Sequence, residues 1–266
     1  MFFSNPNFKF VVGVVHVQAL PGTPMNKYSF QEIIEKAIYE SMVYMEEGVD
    51  SILFENMHDR PYLNREVGPE IIASMTSVCG KIRELSAIPM GIQILAGANI
   101  AALAVAKACN LQYIRAEGFV FSHVADEGMM HSDAGELLRY RKSIGADTIK
   151  IFTDIKKKHS AHAITNDVSI SETAKAARFF LSDGVIVTGS STGVEVDVNE
   201  LKKVKKSVEL PVIIGSGITT DNISKFFPFA DGFIVGSALK EDGAWYNDAD
   251  RVRVRGFMDE IDKLRK

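Results

Sequence analysis

The sequence predicts a (β/α)8 barrel, and three observations carry that expectation. Strand-like and helix-like segments alternate eight times from end to end. The 266-residue length lies close to the roughly 250 residues typical of one such barrel. Two apolar runs near the C-terminus each end in Gly-Ser, where the loops after strands 7 and 8 of a barrel hold phosphate. A doubly wound open sheet is the alternative, because alternation alone does not show closure. Its dinucleotide mark, GxGxxG after the first strand, is missing. No Pro/Gly/Ser linker or composition shift divides the chain, so one domain over 1–266 is expected, although two small domains would also fit the length.

The elements follow in order. Strands are predicted over 10–17, 50–55, 89–94, 111–116, 147–153, 184–188, 211–215 and 231–235, each a short apolar run of the kind a buried parallel strand requires. Helices are predicted over 29–47, 67–85, 99–109, 133–144, 169–182, 197–207, 220–227 and 248–264. Gly48, Asn110, Gly145 and Asp183-Gly184 stand where helices should stop. Loops before strands are short, whereas those after strands 4 and 5, over 118–132 and 155–168, are long enough to be lids or binding loops.

Composition narrows the function. Hydrophobic residues make up 46%, enough for a large core, and the net charge of -4 mixes acids and bases. No basic face for nucleic acid is evident, and the Lys202–Lys206 run reads as the solvated side of a helix. Cys79 and Cys109 lie far apart, with neither a disulfide framework nor zinc spacing, which fits a reducing compartment. No run of 18 apolar residues is present to span a membrane. The first strand lacks a basic start like that of a secretory signal, and the first arginine is Arg60, unlike a transit peptide. A cytoplasmic protein is expected.

Strand parity predicts the site. Side chains alternate faces along a strand, and a barrel strand turns its apolar set toward the helices. Ile114 and Ala116 outward put Tyr113, Arg115 and Glu117 inside, and Ile149, Ile151 and Thr153 outward put Lys150, Phe152 and Asp154 inside. By the same rule Glu55, Gln93 and Thr188 face inward; strand 1 reads either way, and Val11, Val15 and Val17 outward would put His16 and Gln18 inside. The predicted catalytic set is therefore Glu55, Glu117, Lys150, Asp154, His16 and Arg115, at the mouth where barrel active sites form. A buried ion-pair network is the alternative, since charges are not buried without partners. Lys150 could form a Schiff base or act as a clamp or ion-pair partner. Glu117 and Asp154 could serve as acid and base on a sugar or a glycosidic bond. His16 could shuttle protons.

The predicted phosphate cradle is Gly215, Ser216, Gly217, Gly236 and Ser237, with Thr188 and Gly189 from a Gly-Ser-Ser-Thr-Gly turn ending at Gly193 that resembles an anion nest. Thr220, Asp221 or Asn222 could cap a following helix whose first N–H groups face the anion. No cofactor is predicted. A divalent metal is the remaining alternative, on His123, Asp126, Glu127 and His131 of one loop and His159 and His162 of the next, with no HExxH or Cys/His spacing to support zinc.

The chain as a whole resembles the BtpA family, which also includes proteins called SgcQ. The resemblance runs through Gly13–Pro24, Gly48–Asn56, His58–Pro61, Glu136–Arg141, Gly145–Asp147, Ile149–Asp154, Lys158-His159, Val185–Gly189, Thr192-Gly193, Val212–Gly217, Ala230–Gly236 and Arg251-Val252. It departs at Leu95–Asn99, where bacterial members commonly carry Arg-Asn-Asp, so the substrate is expected to differ if those side chains touch it. The resemblance implies a TIM barrel of the phosphate-binding kind without implying one reaction. Relatives are linked to photosystem I biogenesis or sit beside predicted sugar-uptake genes. The expectation is an enzyme acting on a phosphorylated sugar or nucleotide-like metabolite, as isomerase, lyase or aldolase, or glycosidic hydrolase. The other expectation is a non-catalytic assembly factor. A homo-oligomer is compatible with either.

Overall fold

The eight predicted strands close on themselves. The computed structural model describes Phe3, residues 8–189 and residues 194–266. In chain order the barrel strands are β1 (Phe10–His16), β2 (Ser51–Glu55), β3 (Met90–Gln93), β4 (Tyr113–Ala116), β7 (Lys150–Ile155), β9 (Gly184–Val187), β10 (Val212–Ile214) and β11 (Gly232–Val235). Each is parallel to its neighbours, and β11 pairs back with β1, so the open-sheet alternative is excluded. The helices are α1 (Phe30–Glu46), α2 (Pro69–Arg83), α3 (Asn99–Ala108), α4 (Ala134–Ser143), α5 (Ile170–Phe179), α6 (Val198–Ser207), α7 (Ile223–Phe226) and α8 (Arg251–Arg265).

Local chemistry sets where the helices begin. Ser29 and Glu32 form a reciprocal capping box at α1. Pro69 opens α2 where its missing N–H costs nothing. Asp197 and Asp250 accept backbone N–H bonds at the starts of α6 and α8. Buried residues of α1 recur at helical spacing, Ile33, Ala37, Ser41 and Tyr44, and pack on the outer wall.

The parity rule held inside the barrel. Phe10, Val12, Val14, Leu53, Tyr113, Phe152, Ile186, Ile213 and Ile234 fill the interior, and Phe3 joins them. Its ring meets those of Phe10, Tyr113 and Phe152 edge-on at 5.0–5.1 Å near the N-terminal opening. Three large rings sit opposite glycine on the neighbouring strand: Phe10 by Gly232, Tyr113 by Gly91 and Phe152 by Gly184. A Cβ at those glycines would fall 2.2–2.7 Å from the ring, so the layer requires the pairing. With the lower half filled by apolar side chains, polar side chains gather at the C-terminal half.

Three elements depart from expectation. Strand 5 runs over Lys150–Ile155 rather than 147–153, because 147–149 belong to the turn after α4. The helix expected over 220–227 is the single turn α7, followed by a 3-10 turn at Phe227–Phe229 with Pro228 in its first turn. The two long loops are one structure: β5 (His123–Ala125) pairs antiparallel with β6 (Gly128–Met130) and with β8 (Ser160–Ala161). These flap strands were invisible to periodicity, being two or three residues long.

Candidate active site at the barrel mouth

Three strands deliver charge to one point. Arg115 of β4 donates from Nε and Nη2 to the two oxygens of Asp154 on β7, at 2.8 and 2.9 Å, and from Nη1 to Oε1 of Glu55 on β2 at 3.1 Å. All three are buried. Burial alone would lower the Arg115 pKa, but the Asp154 and Glu55 carboxylates outweigh it and hold it above its ordinary value. Burial raises the Glu55 pKa against the pull of Arg115 and Lys158. Asp154 spends both oxygens on the guanidinium, while Oε2 of Glu55 has no hydrogen bond among the described residues.

Glu117, just past β4, accepts from Lys157 Nζ at 3.1 Å. Asn99, the first residue of α3, fixes its backbone by donating to the Glu117 carbonyl at 2.8 Å and accepting from its N–H at 3.2 Å. His16 ends β1 with Nδ1 2.7 Å from the Trp245 carbonyl. A carbonyl only accepts, so Nδ1 carries the proton and Nε2 is left as an acceptor. Burial, then the nearby Lys240 charge, pushes the His16 pKa well below its usual value, so the ring is neutral. Lys158 follows β7, and its ammonium has no ion pair among the described residues. Burial and then Arg115 lower its pKa, with the three carboxylates opposing.

His16, Glu55, Arg115, Glu117, Lys157 and Lys158 line a two-lobed cavity. The first lobe, about 480 Å³, lies between the ends of β10 and β11, walled by Gly215–Asp221 and Val235–Ala238, with Arg253 of α8 at its edge. The second, about 250 Å³, lies beside the flap and includes Gln93, Arg60, Tyr62 and Trp245. Glu55, Met57, Arg115 and Lys158 belong to both. In the first lobe the Ser216 and Gly217 N–H groups donate to no described residue. Gly217 has φ +74, and a Cβ there would fall 2.3 Å from the Val194 carbonyl oxygen. Only glycine suits that turn. A Cβ on Gly236 would come within 3.2 Å of His16 Nε2, so this glycine keeps the ring open to the lobe.

The structure gathers His16, Glu55, Arg115, Glu117 and Asp154, and in the first lobe Gly215, Ser216, Gly217, Gly236 and Ser237. Lys150 is not with them. It opens β7 at the N-terminal end, where Nζ binds Asp183 at 2.8 Å. Four residues of strand, about 13 Å, separate it from Asp154. Its inward parity was right, but its height corrects the catalytic expectation: Lys157 and Lys158, past the expected strand end, are the lysines of the site. Thr188 accepts from the Lys158 N–H at 3.2 Å, and Gly189 donates to Ser216 Oγ at 3.4 Å. These two tie loops together outside the first lobe's wall, and the rest of that nest, 190–193, lies outside the described residues. The expected helix cap also changes: Asn222 precedes α7 but binds the Gly217 carbonyl, the Thr219 N–H and Glu195, stapling the loop instead of capping a helix. Among the described residues no group of three or more His, Cys, Asp or Glu stands placed to hold a metal ion. His123 and His162 face each other with ring centres 5.4 Å apart.

Trp245, Arg60 and Met57 escaped sequence reasoning. They lie on irregular loops where no period assigns a direction, although Lys158 stood in a stretch that resembled a known family.

The BtpA family model matches residues 7–263. An uncharacterized mitochondrial protein of Caenorhabditis elegans is 49% identical, covering 98% of this chain and 96% of its own. The photosystem I biogenesis protein BtpA of Synechocystis is 32% identical, covering 94% and 86%. Among solved structures, a Pyrococcus furiosus thiamine phosphate pyrophosphorylase superposes with TM-score 0.61 at 14% identity, covering 97% and 98%. An orotidine 5'-phosphate decarboxylase of Pyrococcus horikoshii gives 0.59 at 12%, covering 95% and 99%. At such identities the likeness is one of fold. No helix of the described residues is long and apolar enough to cross a membrane.

Proposed function

The chain belongs to the BtpA family, and from that premise we propose that it is an enzyme acting by proton transfer on a phosphorylated small metabolite. The observation that carries this reading is the two-lobed cavity, in which Lys158, Arg115 and Glu55 stand between a glycine-rich backbone lobe and a second, side-chain-lined lobe. Phosphate would rest on the unused N–H groups of Ser216 and Gly217 and on the Gly236-Ser237 turn, with Lys158 as its counter-charge. The names of the two fold neighbours, a thiamine phosphate pyrophosphorylase and an orotidine 5'-phosphate decarboxylase, are compatible with a phosphorylated ligand on such a barrel.

Availability of groups narrows the reaction. Asp154 is held bidentate by Arg115, and Glu117 is paired with Lys157. Glu55 keeps Oε2 and Glu117 keeps Oε1 without a hydrogen bond among the described residues, but the other oxygen of Glu117 is tied to Lys157, so Glu55, facing both lobes, is the carboxylate we assign to proton transfer. Glu55, its pKa raised by burial, and neutral His16 form an acid–base pair suited to moving a proton on a bound sugar. Lys158 stabilises the developing oxyanion or, in an aldolase, forms a Schiff base. This makes the protein an isomerase or lyase of carbohydrate or nucleoside metabolism. It would work in the cytoplasm without nucleic acid or membrane and self-associate as barrels of this kind do. The worm relative's name, which carries "mitochondrial", argues against confinement to one compartment.

A thermal-shift panel of ribose 5-phosphate, glucose 6-phosphate and inorganic phosphate tests the phosphate site. At a hundredfold excess over Kd a ligand stabilises by about 2.7 kcal/mol, roughly 5–10 °C in melting for a chain of this size. Ser237→Asp, which sets a carboxylate in the first lobe, is expected to erase the shift. If no phosphorylated compound moves the wild-type melting point, the reading fails. The Synechocystis relative's biogenesis role would then favour an assembly factor.

A further inference from the structure

The second lobe is built for something other than phosphate. Its floor is an apolar cluster of Leu95 and Ala96 with Met57 and Tyr62 packed against them. The Tyr62 hydroxyl donates to the Met57 carbonyl at 2.7 Å, which fixes the ring in place. At the side stands Trp245, its ring 4.9 Å from the Arg60 guanidinium and 4.9 Å from the centre of His58. Flat faces of this kind stack planar rings. The volume, about 250 Å³, exceeds the roughly 150 Å³ that accommodates benzene in a dry protein cavity.

Two side-chain acceptors of this lobe, fully shielded from solvent, have no hydrogen-bond partner among the described residues. Gln93 ends β3, 2% exposed, and its Oε1 is buried without a hydrogen bond. Glu127, at the tip of the β5–β6 hairpin, has Oε2 buried and likewise unpaired. Both side chains line the second lobe. Buried acceptors without donors are rare in folded proteins and costly. Both call for N–H groups from something that enters the lobe. Of the charged donors lining the lobe, Lys157 is bonded to Glu117 and Arg115 to Asp154 and Glu55, while Lys158 and Arg60 bond neither of these two acceptors among the described residues.

We infer that the second lobe is the subsite for a planar nitrogen ring whose edge carries N–H donors, stacked beside Trp245 and read by Gln93 and Glu127. Resting on the phosphate reading of the first lobe, this makes the substrate a sugar phosphate bearing such a ring, with the sugar crossing Glu55, Arg115 and Lys158. Gln93 and Glu127 come from the barrel and from the flap, so the ring also links the flap to the barrel floor.

Trp245 is the chain's single tryptophan, so its fluorescence reports the second lobe without competing signal. Wild-type protein, Gln93→Met and Gln93→Glu are titrated with guanosine and uridine 5'-monophosphates, the matching nucleosides and ribose 5-phosphate. Both bases present ring N–H groups. At least one nucleotide is expected to quench Trp245 and to bind about tenfold or more tighter than ribose 5-phosphate. Gln93→Met, which keeps length and loses the amide, should remove that advantage and leave ribose 5-phosphate affinity unchanged. Gln93→Glu guards against a packing effect: it keeps an acceptor and should retain part of the preference. If ribose 5-phosphate binds as tightly as both nucleotides, or Gln93→Met weakens all ligands equally, the ring subsite is overturned while the phosphate site stands. If nucleosides bind as tightly as nucleotides and remain sensitive to Gln93→Met, the ring subsite stands and the phosphate reading falls. If nothing binds, both fall.

Discussion

His16, His58 and His123 are held neutral by burial. For His58 and His123 desolvation comes first and nearby cations second, pushing both pKa values down to about 4, and His16 falls well below its ordinary value. A histidine whose folded pKa lies below its unfolded value, about 6.5, stabilises the fold above pH 6.5. That contribution is lost as pH falls toward 4, because the unfolded chain takes up the proton first. Buried Asp133, raised to about 6 chiefly by desolvation, works the other way, its contribution growing as pH falls through 6. The wild-type curve is therefore a sum of opposing terms, and a variant isolates one. Urea midpoints at pH 7 and pH 5 should show that His123→Gln loses up to about 2 kcal/mol less stability over this range than the wild type does. Equal losses in both proteins would show that His123 titrates normally.

Element by element, the mouth depends on how loops are tied to strands. Arg65 gathers the loop ends: it donates to the Gly97 carbonyl at 3.1 Å, to the Gly118 carbonyl at 2.7 Å, to Asp133 at 2.6 Å and to the His131 carbonyl. Asn99 Nδ2 donates to the same Asp133 oxygen from α3 at 2.9 Å. One side chain thereby joins the exits of β3 and β4 to the start of α4 and holds both ends of the β5–β6 hairpin. Arg65→Met removes every one of these bonds and keeps most of the aliphatic stem. Amide hydrogen exchange in 123–130 should then speed up at least tenfold, while the interior strands β1, β2 and β11 exchange as before, since local opening and global unfolding are separate events. Unchanged exchange in the hairpin would mean that the β5–β8 pairing alone secures it.

Across the whole molecule, closure joins the two ends of the chain. Lys240, just after β11, is fully buried and pairs with Glu40 of α1, whose Oε1 also accepts from the Tyr44 hydroxyl at 2.9 Å. The single Tyr44 hydroxyl proton is shared with the Val14 carbonyl of β1, 3.1 Å away. Arg265 of α8 adds a bond to the Lys9 carbonyl at 2.8 Å and a pair with Asp50. Breaking a buried pair by removing one partner leaves an uncompensated charge and costs about 3–5 kcal/mol. Lys240→Met is expected to lose about that much in urea unfolding, and Lys240→Met with Glu40→Gln to recover most of it. A single variant as stable as the wild type would show that the pair contributes nothing to closure.

The sequence by itself determined the eight-fold alternation, the inward set at β1, β2, β4 and β7, and the Gly-Ser ends that wall the first lobe. Each rests on a period of two, or on a residue type whose need is local, so it can be read along the chain. Only the tertiary structure decided closure, since one strand run pairs as well at an edge as in a ring until β11 meets β1. It alone separated Lys150 from Lys158, because parity gives the face of a residue and not its height, and a strand end misplaced by two residues exchanged one lysine for another. It alone joined two loops into the flap and set Trp245, Arg60 and Gln93 around one lobe. Those contacts are made between segments far apart in the chain, where no spacing along the sequence records that two side chains will meet.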